Sequence, residues 1–237
     1  AELHDSTAVR YSFKGLFPVV WWGDMQIAND RSVIAGIYPG FYVNENGKVD
    51  PKSGVFFYRS TDNAHSWNIQ GRILYTPDLH ADSLGEKRMG FSEPAFEIMA
   101  DGSFLCVTRT SDGIGIGPMY ASRSTDLGKT WSLPKVIAPF GVLPRLLRLA
   151  NGITVLASGR PGVHLRFSAD ENGEKWTQAF ELLPYKNVDD QVSCGYTALI
   201  ATGSDRFLIV YSDFKFLNGA KEIRKSIKVR EVIISQK

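Results

Sequence analysis

The sequence predicts an all-β protein of four repeated four-stranded units, the blades of a β-propeller. Three segments share a Ser-x-Asp turn that ends in a tryptophan, and each follows an aromatic or β-branched run typical of a strand. A second kind of turn, of Asp-Gly type, recurs upstream of these segments and again near the carboxyl terminus. No long segment has the helical period, so no helical interpretation competes.

The Ser-x-Asp turns are predicted to be structural. A short Asp side chain accepts backbone N–H groups inside such a turn, a glycine allows positive φ, and the tryptophan packs back onto the sheet. The complete pattern covers residues 124–131. The copy at 60–67 has Ala64 in place of the glycine, and the copy at 168–176 carries one extra residue. These turns mark the repeat and are not expected to take part in chemistry.

Each unit is a pair of hairpins, and the four units are predicted to form one domain over residues 1–237. The fourth unit lacks a Ser-x-Asp turn but keeps the strand pattern. The Asp-Gly-type turns are Asn29-Asp30, Asp101-Gly102, Asn151-Gly152 and Ser204-Asp205. The expected blades are residues 17–75, 91–138, 142–184 and 193–235, with 1–16 as a leading strand or linker.

Composition limits the partners of the protein. A chain of 237 residues with 43% hydrophobic content can bury a sizeable core. The formal net charge of +2 is spread along the chain, which argues against nucleic acid or an anionic membrane as a partner. The longest apolar stretch, residues 16–22, is too short to span a bilayer, and the histidines lack the spacing of metal ligands. We therefore expect no cofactor, no metal and no membrane insertion.

Strand direction predicts which residues lie close together. In an up-down-up-down blade, both kinds of turn lie on one rim, and the start of the first strand lies with the end of the second on the opposite rim. That opposite rim would gather Asp24, Tyr38, Glu93, Arg109, Arg145, Arg160, Tyr196 and Asp213. Structural interpretations remain open, because Glu93 and Arg109 could form a simple ion pair and Tyr196 could be a core side chain.

The order of these motifs resembles the second half of a sialidase. Ser92-Glu93-Pro94 is followed by Val107-Thr108-Arg109-Thr110, then by Ser158-Gly159-Arg160-Pro161-Gly162, and finally by Gly195-Tyr196-Thr197. The similarity covers nearly all of the chain from about Phe17 onward. It implies a sialidase-type propeller that cleaves a terminal sialic acid, or a related acidic sugar, from glycoconjugates with retention of configuration.

The resemblance also implies a role for each matched residue. Tyr196 would be the nucleophile, Glu93 would take its proton, and Arg109 and Arg160 would hold the substrate carboxylate. A neutral phenol suits such a substrate, because a carboxylate nucleophile would be repelled by the carboxylate of the sugar. Planar guanidinium groups suit bidentate capture of that carboxylate.

The sequence departs from the sialidase pattern in its incomplete set of blades. Sialidase propellers have six blades, and the four visible here lack the motif that carries the remaining arginine and the aspartate that acts as acid and base. Asp50 is one candidate for the acid. Asp24, which also lies on the substrate-binding rim, is the other, and Arg145 is the candidate third guanidinium. The alternatives are a non-catalytic carbohydrate-binding propeller, a truncated sialidase, or a glycosidase that acts on a different sugar.

The resemblance and the incomplete ring lead to further expectations. Open blade faces would be apolar, which predicts self-association through them. The resemblance implies a secreted, periplasmic or cell-surface protein, although the first residues have no secretion-signal pattern. The rim loops at 39–54, 110–117 and 214–220 are expected to set linkage preference, and Cys106 and Cys194 are expected to be buried free thiols.

Overall fold

A computed structural model of the chain describes residues 19–20, 24–39, 42, 46–111 and 117–235. Within these ranges the only helix is a short 3-10 turn, Gly85–Lys87, and the other regular elements are strands. The all-β prediction is therefore confirmed. The expected leading segment at 1–16, the first two residues of the first predicted blade and the middle of the loop at 110–117 lie outside the described residues.

Sixteen strands in the described ranges form four antiparallel sheets. Sheet one contains β1 (Val19–Val20), β2 (Met25–Ile27), β3 (Val33–Pro39), β4 (Val55–Ser60) and β5 (Asn68–Ile73). Sheet two contains β6 (Gly90–Ile98), β7 (Phe104–Ser111), β8 (Met119–Ser124) and β9 (Lys135–Ala138). Sheet three contains β10 (Val142–Arg148), β11 (Thr154–Gly159), β12 (Val163–Ser168) and β13 (Phe180–Leu183). Sheet four contains β14 (Thr197–Ala201), β15 (Arg206–Leu217) and β16 (Ile223–Ile233).

The four sheets correspond to the four predicted units. Strands β1 and β2 both pair with β3, so they occupy the same position in the strand order. Sheet one therefore has five strands in four positions. Sheet four has three strands in the described part of the chain, one fewer than predicted. Its residues 206–233 form one long hairpin with strands of 12 and 11 residues, which leaves no length there for another strand.

The chain divides into two compact units. Unit one comprises residues 1–98 and 102–139 and contains sheets one and two. Unit two comprises residues 99–101 and 140–237 and contains sheets three and four. The single domain expected over residues 1–237 stays a prediction.

The core of unit one is rich in aromatic side chains. Phe57 of β4 meets Phe96 of β6 edge to face, with ring centroids 5.5 Å apart, and stacks on Trp131 at 4.2 Å. Aromatic pairs in these geometries stabilise a core beyond the area that they bury. The remaining buried members of this cluster are Ala28, Ile34, Val55, Ile73, Phe91, Phe104, Cys106 and Tyr120. Sheets one and two therefore share this core cluster within unit one.

The core of unit two lies between one face of sheet three and one face of sheet four. Alternate residues of β11 and β15 point into it, as expected for strands with one buried face. Its buried members are Leu149, Val155, Ala157, Val163, Leu165, Leu182, Phe207, Ile209 and Tyr211. The other face of sheet four, which we call the outer face, carries aliphatic side chains that stay exposed, including Ile200, Ile227 and Val229.

The Ser-x-Asp turns have the expected internal hydrogen bonds. The Asp126 carboxylate accepts the backbone N–H of Thr130 at 2.9 Å and the hydroxyl groups of Thr130 and Ser124, and Gly128 has φ 83°. Burial by itself would raise the pKa of Asp126, but these hydrogen bonds outweigh it and hold the pKa at about 2. Ala64 takes the place of the glycine at φ 66°, a left-handed conformation that costs a residue with a Cβ about 1–2 kcal/mol.

Candidate functional site

A β-bulge interrupts the first strand of both sheet two and sheet three. The pairing shifts between Ser92 and Ala95 in β6 and between Val142 and Arg145 in β10. Glu93, at φ 49°, is left-handed inside the first bulge. A bulge turns the side chain at that point away from the regular alternation of the strand. The candidate base therefore occupies a backbone position that a regular strand would not provide.

Unit one brings Glu93 and Arg109 together. Ser92 pairs with Arg109 across β6 and β7, and Arg109 Nη1 lies 3.1 Å from Glu93 Oε1 and 3.2 Å from Oε2. The Glu93 side chain is 5% exposed and that of Arg109 is 15% exposed. The pairing agrees with both interpretations of these residues, an ion pair between strands and a catalytic carboxylate with its guanidinium.

Tyr38 is a third polar member of this group in unit one. Burial raises the pKa of its phenol, the negative charge of Glu93 raises it further, and the positive charge of Arg109 opposes the change. The sequence placed Tyr38 on this rim but assigned it no role. The electrostatic influence of both Glu93 and Arg109 shows that Tyr38 belongs with them.

Each of the two candidate acids accepts a hydrogen bond in unit one. The Asp50 carboxylate accepts the backbone N–H of Lys52 at 2.9 Å, which closes a small turn in its own loop. The carbonyl oxygen of Asp24 accepts the N–H of Gly36, and its negative charge adds to the effect of burial in raising the pKa of the Cys106 thiol. The role of either residue as acid stays a prediction.

Unit two brings Arg160 and Tyr196 together. Arg160 follows β11 in a left-handed conformation, φ 52°, and its Nη2 donates to the carbonyl oxygen of Cys194 at 2.9 Å. The guanidinium carbon lies 5.9 Å from the centroid of the Tyr196 ring, within the range of a cation–π contact. A positive charge held beside a phenol stabilises negative charge that develops on its oxygen.

Two glycines in unit two allow the backbone before β14 to lie close to the backbone at the end of β11. A Cβ atom on Gly159 would lie 2.1 Å from the Cα of Gly195, and one on Gly195 would lie 2.8 Å from the Arg160 nitrogen. Gly195 is also left-handed, at φ 78°. Glycine at both positions therefore lets the segment before β14 lie directly against the end of β11.

Ser212 supports the same segment from β15. Its hydroxyl accepts the backbone N–H of Cys194 at 3.0 Å and lies 2.9 Å from the Ser193 hydroxyl. Cys194 is a free thiol that is only partly buried, whereas Cys106 is free and fully buried, as expected. Arg145 lies in β10 opposite Ala157, just beyond the bulge, and its role as a third guanidinium stays a prediction.

The described residues contain no group of three or more His, Cys, Asp or Glu side chains that could hold a metal ion. Among the same residues, no helix has the length and apolar character needed to cross a membrane.

Comparisons with known proteins found a likeness in structure. No family model matches the chain, and no curated protein matches it by sequence. A protein of unknown function from Dyadobacter fermentans superposes with a TM-score of 0.65 at 17% identity, over 90% of this chain and 53% of that one. An α-L-arabinanase from Penicillium chrysogenum has a TM-score of 0.62 at 15% identity, over 91% and 63%. The NanB sialidase of Streptococcus pneumoniae has a TM-score of 0.59 at 10% identity, over 95% and 53%.

These identities support a statement about fold alone. The chain spans between 53% and 63% of the length of these three solved proteins. Its four sheets account for part of a propeller of that size. The chain therefore has the fold of a sialidase-like β-propeller, and its described residues contain four blades.

Proposed function

We propose that this protein processes glycans, as a sialidase-like glycoside hydrolase that releases a terminal acidic sugar with retention of configuration. The observation that carries the proposal is the position of Arg160, whose guanidinium is held by the Cys194 carbonyl and lies beside the Tyr196 ring. A buried glutamate paired with an arginine in unit one supports it. Neighbours in fold include proteins described as a sialidase and as an α-L-arabinofuranosidase.

The proposed chemistry begins at Tyr196. Its phenol oxygen bonds to the anomeric carbon while the bond from that carbon to the leaving oxygen breaks. A base takes the phenolic proton, a role that the sialidase resemblance implies for Glu93, and an acid, Asp50 or Asp24, protonates the leaving oxygen. Water then bonds to the anomeric carbon while the bond from that carbon to the phenol oxygen breaks. The carboxylate left by the acid takes the proton of the water, and the protonated base returns its proton to the phenol oxygen. Arg160 would stabilise the negative charge that develops on the phenol oxygen.

The arginines give the proposal its preference for an acidic sugar. Arg109 of unit one, and Arg160 and the candidate Arg145 of unit two, can each present two N–H groups to a carboxylate. Charge-assisted hydrogen bonds of this kind are stronger than those that a neutral sugar can accept, so they favour a ligand with a carboxylate.

One observation favours a second candidate, a propeller that binds acidic sugars without cleaving them. Both carboxylate oxygens of Glu93 already accept from Arg109 Nη1, which suits a structural ion pair as well as a base.

Hydrolysis of a fluorogenic aryl sialoside tests the first candidate. We expect turnover by the parent chain, a loss of at least about 1,000-fold in Tyr196→Phe, and a loss of about 100- to 10,000-fold in Glu93→Gln. Tyr75→Phe is the matched control, because the Tyr75 hydroxyl donates to the Gly85 carbonyl within unit one and has no proposed role in the reaction.

The same set of proteins separates the two candidates. If the parent chain binds free sialic acid but does not turn over the sialoside, the non-catalytic candidate is correct. If Tyr196→Phe keeps the parent rate, Tyr196 is not the nucleophile.

We also propose that the outer face of sheet four binds a second copy of this chain. Ile227 is 71% exposed, Ile200 62% and Val229 59%, and Val210 pairs with Val229 on the same face. The opposite face of the same sheet is buried in the core of unit two. Contiguous exposed aliphatic side chains of this kind mark interaction surfaces.

Sedimentation velocity over a range of protein concentrations tests this surface. We expect reversible association of the parent chain and a monomer for Ile227→Glu, because a carboxylate in an apolar interface loses its hydration without a partner. Leu133→Glu is the matched control, since Leu133 is 74% exposed in unit one and should not alter association. A parent chain that stays monomeric at roughly 100 µM, which corresponds to a free energy of association weaker than about −5.5 kcal/mol, would refute the proposal.

A further inference from the structure

Unit two contains a cavity that the proposed reaction does not use. Its volume is about 380 Å³, within the range of cavities that bind small ligands. It lies where the link between β13 and β14 meets the end of β15. Its walls are formed by Leu183, Pro184, Tyr185, Lys186, Asp190, Val192, Asp213 and Lys215.

Tyr185 provides an aromatic wall of the cavity. Its ring meets His164 edge to face, with centroids 5.6 Å apart and planes at 75°, and meets Phe140 at 6.3 Å and 86°. His164 is fully buried, and its ring nitrogen Nε2 lies 2.6 Å from the Pro161 carbonyl oxygen. The ring of Tyr185 is therefore held from behind while it remains partly exposed toward the cavity. A fixed aromatic surface of this kind can stack on the apolar face of a ligand ring.

The side chains of Asp190, Asp213 and Lys215 in the cavity are held in place by hydrogen bonds. Lys215 forms an ion pair with Asp190, which also accepts the backbone N–H of Lys186 at 3.0 Å. The hydrogen bond from Lys215 lowers the pKa of Asp190, so this carboxylate stays ionised at neutral pH. The backbone N–H of Lys215 donates to Asp213 at 3.0 Å. The cavity thus has hydrogen-bond donors and acceptors in defined positions.

The charge of the cavity indicates the class of ligand. Its walls carry two lysines and two aspartates, so their formal charges cancel. An anion or a cation would gain little from such a balanced wall, whereas hydroxyl groups can both donate to the carboxylates and accept from the ammonium groups. With the aromatic ring of Tyr185, this combination fits an uncharged, polyhydroxylated ring.

The cavity adjoins the segment that carries Tyr196. Val192 lines the cavity, and its carbonyl oxygen accepts the N–H of Phe214 at 2.7 Å. Tyr196 follows four residues later, so the two Cα atoms cannot be more than about 14 Å apart. A short oligosaccharide could therefore contact both places.

We propose that this cavity is a subsite for a neutral sugar residue of the glycan, next to the terminal acidic sugar that the reaction releases. The proposal rests on the proposed function for the order of the two sugars, but the cavity binds a neutral sugar ring whether or not the chain is catalytic. Tyr185 stacks on the ring, and Lys215, Asp213 and Lys186 form hydrogen bonds with its hydroxyl groups.

Binding of single neutral sugars to the whole chain tests the subsite. The probes are galactose, glucose, arabinose, N-acetylgalactosamine and N-acetylglucosamine. Saturation-transfer NMR measures their binding at sugar concentrations up to roughly 100 mM. We expect at least one of them to bind, and its affinity to fall roughly tenfold in Tyr185→Ala and severalfold in Lys215→Gln. Lys215→Gln keeps the result interpretable if Tyr185→Ala fails to fold.

Lys225→Gln is the matched control, because Lys225 lies over Phe214 in the same hairpin and does not line the cavity. The affinity of this variant for the neutral sugar should equal that of the parent chain. If no neutral sugar binds to the parent, or if a uronic acid binds there more tightly than every neutral sugar, the proposal is wrong. Sialoside turnover without neutral-sugar binding would refute the subsite alone, and neutral-sugar binding without turnover would refute only the catalytic function.

Discussion

Replacing Gly159 by alanine is expected to destabilise unit two by at least about 3 kcal/mol in the free energy of unfolding. The new Cβ would lie 2.1 Å from the Cα and 2.2 Å from the carbonyl oxygen of Gly195. Both are backbone atoms, so no change of side-chain rotamer can relieve the overlap. The end of β11 must move away from the segment before β14, and Arg160 must move with it.

Chemical denaturation monitored by circular dichroism measures this change. Gly219→Ala is the matched control, because a Cβ at Gly219 would meet no atom within 4 Å. It should change the free energy of unfolding by less than about 0.5 kcal/mol. If Gly159→Ala is as stable as Gly219→Ala, the two backbone segments are not in the contact described for Gly159 and Gly195.

Removing the carboxylate of Asp82 is expected to cost about 3–5 kcal/mol in the free energy of unfolding. Asp82 and Arg88 form a buried bidentate pair in unit one, with Arg88 Nε 2.7 Å from Oδ2 and Nη2 2.9 Å from Oδ1. Each side chain is about 5% exposed or less. Asp82→Ala therefore leaves the Arg88 guanidinium inside the protein without this carboxylate, and removing one partner of a buried ion pair is strongly destabilising.

A double-mutant cycle separates the cost of removing one charge from the net contribution of the ion pair to stability. The double variant Asp82→Leu with Arg88→Met replaces both charges by apolar groups and should recover most of the stability lost in Asp82→Ala. Arg59→Ala is the control, because its pair with Asp30 is partly exposed and its loss should cost about 1 kcal/mol or less. Equal losses in Asp82→Ala and Arg59→Ala would show that the buried pair carries no special penalty.

Local patterns were sufficient to predict most of the fold. The Ser-x-Asp turns and the Asp-Gly-type turns depend on residues a few positions apart, and so does the alternation that marks a strand. The strands of sheets two and three, at residues 90–138 and 142–183, follow these local patterns. The described residues of sheet four form three strands, because the β15–β16 hairpin continues its cross-strand pairing beyond Asp213.

Within each unit, cross-strand pairing also explains which candidate residues could be foreseen. Glu93 and Arg109 lie at the same end of two adjacent strands, so strand direction alone predicts that they meet. Arg160 and Tyr196 meet for a different reason. The close contact of Gly159 with Gly195 brings them together, and no local sequence pattern predicts that contact. The cavity beside Tyr185 was not predicted, because it depends on segments far apart in the chain.

The sequence by itself determined the all-β class, the repeat and the turns, because each of these follows from side chains that act on their own stretch of backbone. Tertiary structure decided the left-handed conformation of Glu93 in its bulge, the burial of the Glu93–Arg109 pair, and the position of Arg160 beside Tyr196. Those features arise where strands from different parts of the chain exclude water from one another, and burial of that kind cannot be obtained from neighbouring residues alone.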